Sequence, residues 1–118
     1  MALVAALVLA GCSGDEAEAR DLAQEACDWF ESQTEDSPES EKADLYIAKL
    51  DKAADLAGRA SGLDSRWDDL AEAFVRQYRV AARIAEAKER DEQISNGPDL
   101  VNGFMEAGEV IDLECRKF

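Results

Sequence analysis

Apolar side chains return every three or four positions through most of the chain, the spacing of one face of a helix. Four stretches carry that period, and breakers separate them. The first, about 15–34, aligns Ala19, Leu22, Ala23, Ala26, Cys27 and Phe30 on one stripe. Thr34 to Ser37 interrupt it, and Pro38 suits the first turn of a second helix behind a Ser37 cap. That helix, about 38–61, repeats Ala43, Tyr46, Ile47, Leu50, Ala53, Ala54, Ala57 and Ala60, with Gly62 as its stop. The third, about 64–94, starts from Asp64 or Ser65 and sets Trp67, Leu70, Ala71, Phe74, Tyr78, Ala81 and Ala85 on one face. Asn96-Gly97-Pro98 then opens the fourth, about 98–115, whose stripe is Val101, Phe104, Gly108, Ile111 and Cys115. No stretch alternates with strand period, and nothing repeats. Short connections make neighbouring helices antiparallel, so the pattern predicts an all-α, up-down four-helix bundle.

The N-terminus follows a different pattern. Met1 to Gly11 carry no charged side chain, and only Gly11 is not apolar. Ten apolar residues reach about 15 Å as a helix, half a bilayer's hydrocarbon core. That is the length of a signal peptide. Leu9-Ala10-Gly11-Cys12 follows directly: a branched apolar residue, two small ones and a cysteine. The motif resembles the lipobox of bacterial lipoproteins. The resemblance implies cleavage behind Gly11 and a diacylglyceryl group on Cys12, which anchors the chain outside a bacterial cell membrane. On that reading 1–11 is the signal peptide, 12–14 the lipidated tether and 15–118 the helical domain. One feature departs from the pattern, since only the Met1 amino group is positive ahead of the apolar run. Either the start lies upstream or translocation is slow. The motif covers about a tenth of the chain and leaves the work of the domain open.

Setting Cys12 aside leaves a pair, Cys27 and Cys115. In an oxidising compartment an isolated pair reads as a disulfide; two buried thiols are the alternative. Such a bridge would staple the first helix to the fourth.

Charge narrows the function classes. The chain has 13 Lys and Arg against 27 Asp and Glu, a net charge of −14, and no histidine. That balance opposes nucleic-acid binding by bulk electrostatics. Without His there is no His-based metal site and no Ser-His or Cys-His catalysis. No phosphate-binding loop, zinc spacing or nucleophile elbow occurs, so neither an enzyme nor a cofactor is expected. Residues 15–41 hold eleven acidic side chains and one Arg. They form either a solvated face or a surface for cations, although 36–41 lacks the spacing of an EF-hand loop.

The third helix carries the candidate interaction surface. At 100° per residue Arg76, Arg79, Arg83 and Arg90 fall in one arc opposite the core positions. This stripe either docks an anionic partner or is paired locally, Glu72 with Arg76 and Glu86 with Arg90. Beside it Ala73, Val80, Ile84 and Ala87 form a second apolar strip, which either seals a seam or meets a partner. The aromatics read as core, with Trp29 the exception, and Phe118 is either a loose tail or a small contact. The leading expectation is a non-enzymatic binding or adaptor module whose partner is an unidentified envelope protein. A structural spacer and a phage-borne exclusion factor are the alternatives.

Overall fold

The structure is a computed structural model that describes residues 2–34 and 43–118, with side chains described for 14–31 and 45–118. The chain forms an up-down antiparallel bundle of four helices: α1 Ala2–Thr34, α2 Ala43–Leu63, α3 Asp68–Glu89 and α4 Gly97–Cys115. No strand occurs among the described residues. Helix α1 is longer than the stripe at 15–34 implies, and it runs unbroken through residues 12–14. The expected break at 35–37, the Ser37 cap and the Pro38 start lie outside the described residues.

Packing follows chain order: α1 on α2, α2 on α3, α3 on α4. The seam between α1 and α2 is built from alanine, with Ala19, Ala23 and Ala26 of α1 and Ala53, Ala57 and Ala60 of α2 all buried. Small side chains on both sides let two helices approach closely, so dispersion between backbones replaces the large side chains of a bulkier core. Bulk enters from Leu50 and Leu56 of α2, from Trp67, from Leu70 and Phe74 of α3 and from Ile111 of α4. Phe30 of α1 meets Phe74 of α3 edge-on, ring centroids 5.8 Å apart. Helices α1 and α4 touch at far fewer places than consecutive helices do. Cys27 and Cys115 join them there in a disulfide, Sγ–Sγ 2.06 Å and Cα–Cα 5.7 Å.

Three local expectations are corrected. Gly62 does not stop α2, which continues through it to Leu63, and no described glycine has positive φ. Trp67 belongs to a 3-10 turn, Ser65–Trp67, ahead of α3, and the Asp64 carboxylate accepts from the Arg66 N–H at 3.1 Å. The third helix ends at Glu89, five residues short of 94. Asp91 takes φ 52° there, its N–H bonds the Lys88 carbonyl, and the Glu92 N–H bonds the Ala87 carbonyl at 2.8 Å. Those paired bonds are a Schellman termination, with aspartate where glycine is usual. Arg83 reinforces it through Glu92 at 3.2 Å. At the start of α4, Pro98 occupies the first turn as the sequence predicts.

Candidate functional site

The arginine stripe of α3 faces solvent and is largely neutralised where it stands. Arg76 lies 3.9 Å from Glu72, Arg90 3.2 Å from Glu86, and Arg83 3.2 Å from Glu92. Each pair is exposed, so each contributes only ~0.2–1 kcal/mol. Together they cancel three of the four charges. Among the described residues Arg79 alone of the four has no ion pair. The stripe is therefore a laced helix face carrying one uncompensated cation.

The second apolar strip divides. Ala73, Val80 and Ala87 are buried, which seals the seam of α3. Ile84 is 40% exposed and faces a groove instead. The groove encloses about 310 Å³ and lies between the first turns of α2, the last turns of α3 and the start of α4. Tyr46 and Ile47 form one wall, Val101 and Phe104 the other, with Ala81, Ile84, Ala85 and Lys88 along α3. Two alanines between larger side chains leave the volume unfilled. Burial pushes the Tyr46 phenol up from its ordinary value. Leu45, Val101 and Met105, all well exposed, carry apolar surface outward along α2 and α4 near the groove.

The opposite end of the bundle is filled. Phe118 stacks on Trp67 with centroids 5.3 Å apart and planes 5° from parallel, so it is a contact rather than a loose tail. The Arg20 guanidinium covers Phe118 at 5.5 Å, and Arg66 covers Trp67 at 4.2 Å. The cleft beside them, lined by Glu16, Arg20, Asp64 and Arg66, holds equal numbers of acids and bases. It offers no unbalanced charge to a ligand. Tyr46 sits seventeen residues from Leu63 along α2, which puts the groove about 25 Å from this cleft.

Among the described residues no three His, Cys, Asp or Glu side chains converge on a metal position, and no helix is long and apolar enough to cross a membrane. Trp29 is 36% exposed on α1. The groove was only partly visible in the sequence. Tyr46, Ile47, Val101 and Phe104 read as core stripe, and Lys88 carried no motif. The available signal was Ile84, an apolar residue off the main stripe of a helix whose facing positions are alanine. Comparisons with protein families, with characterised proteins and with solved structures gave no match to the chain.

Proposed function

We propose that the protein is a lipid-anchored, extracytoplasmic, non-enzymatic binding module that recognises its target through the groove between α2, α3 and α4. One observation carries this reading: the groove is an apolar concavity of about 310 Å³ in a chain that is otherwise strongly acidic. Small-molecule sites begin near that size and are mostly apolar in lining. The anchor rests on the lipobox-like Leu9-Ala10-Gly11-Cys12. Cleavage behind Gly11 would make Cys12 the first residue of α1, with no flexible linker between lipid and bundle. The tether would then be the first helical turn, and the groove would sit at the far end of the domain. Three of the four arginines of the α3 stripe are already paired, which favours the groove over that stripe as the recognition surface.

A photo-reactive benzoylphenylalanine placed at Ile84 tests this in cells that produce the anchored chain. The expected result is an adduct of defined mass from position 84 and none from the same group at Arg79. An adduct from 79 alone would move recognition to the arginine stripe. Silence from both positions, with loss of Cys12 still harmful to the cell, would sink the binding reading in favour of a spacer.

A further inference from the structure

Every side chain lining the groove is apolar or aromatic except Lys88. Its cationic neighbours on α3 are engaged, Arg83 with Glu92 and Arg90 with Glu86, each at 3.2 Å. Lys88 has neither an ion pair nor a hydrogen bond from its side chain among the described residues. An apolar trough with one ammonium at its edge, unpaired among the described residues, is complementary to an alkyl chain that ends in a carboxylate. The volume of about 310 Å³ has room for a single alkyl chain.

We infer that the groove takes a single-chain carboxylate amphiphile, its tail against Ile84 and Phe104 and its head paired with Lys88. A carboxylate on a lysine gains a charge-assisted hydrogen bond, stronger than one between neutral groups. At physiological salt charges beyond about 8–10 Å are screened, so the acids that count are those around Lys88. Glu86 and Glu92 are held by Arg90 and Arg83, whereas Glu89 and Asp91 make no ion pair among the described residues, and Lys88 has to hold the head group against them. This assignment rests on the groove being the recognition surface.

Calorimetric titration of the full chain with decanoate, and with decanol as the neutral partner of equal tail, tests it. Three proteins are compared: wild type, Lys88→Met and Ile84→Asp, each checked for helicity by circular dichroism. Decanoate is expected to bind wild type, and to bind Lys88→Met roughly tenfold or more weakly. Decanol should bind those two proteins equally, and Ile84→Asp should bind neither ligand. Equal decanoate affinity in wild type and Lys88→Met, with Ile84→Asp still blocking, overturns the carboxylate assignment and leaves the groove standing. Binding that survives Ile84→Asp overturns the groove itself. No binding of decanoate to wild type overturns the ligand class, while the adduct from position 84 reports on the groove separately.

Discussion

Gln77 is 2% exposed between α3 and α4, and the two ends of its amide fare differently. Nε2 donates to the Phe104 carbonyl at 3.1 Å, while Oε1 has no partner among the described residues. A Cβ added at Gly108 would stand 3.0 Å from that same Nε2. The glycine therefore makes room for a polar bond that crosses this seam. Gly108→Ala gains helix propensity, about 1 kcal/mol, and displaces a buried amide whose lost bond costs about 1–3 kcal/mol. The expected net is a destabilisation of about 1 kcal/mol in urea unfolding. In a Gln77→Leu background the same change should instead stabilise, and equal effects in both backgrounds would dissolve the coupling. Asp91 makes the opposite case. It holds φ 52°, a conformation that L side chains adopt at a cost and glycine adopts freely. Asp91→Gly should raise stability by about 0.5–1 kcal/mol without moving the end of α3. A loss of stability would mean that the aspartate side chain sustains the turn.

At the scale of the element, the disulfide does what packing between α1 and α4 does not. Closing a loop of 88 residues stabilises the fold by roughly 4–5 kcal/mol on the chain-entropy model. Cys27→Ala with Cys115→Ala should lower unfolding free energy by about 4 kcal/mol and remove hydrogen-exchange protection from α4 first. Uniform loss of protection across all four helices would contradict a staple specific to that seam. The pairing was legible in the sequence because two cysteines remained once Cys12 was set aside. The four helices were legible because their stripes kept helical period. Helix ends were harder. The stop of α3 was hidden because aspartate stands at the left-handed position, so no glycine marked it. Trp67 reads as helical in any periodic window, yet the Asp64 cap winds it into a 3-10 turn. The groove escaped because it is a matter of missing volume. Periodicity reports which face a residue takes, not whether Ala81 and Ala85 leave a gap opposite Phe104.

For the whole molecule, charge and shape divide the labour between two ends. Trp67, Phe118, Arg20 and Arg66 close one end with stacked rings and guanidinium groups. The groove opens toward the other, about 25 Å away. If Cys12 carries the lipid, the closed end stands nearest the bilayer and the groove faces outward. A lipid on Cys12 would in that way present the groove away from the membrane surface. The lipid anchor is tested by fractionating cells that produce wild type and Cys12→Ala, with intact mass recorded without reductant. Wild type is expected in the membrane, heavier by a diacylglyceryl group, starting at Cys12 and lacking the two hydrogens of the Cys27–Cys115 bond. Cys12→Ala should carry no lipid and leave the membrane. An unmodified wild type in the soluble fraction would overturn the anchor, since neither an outward groove nor a tethered module would then have a mount.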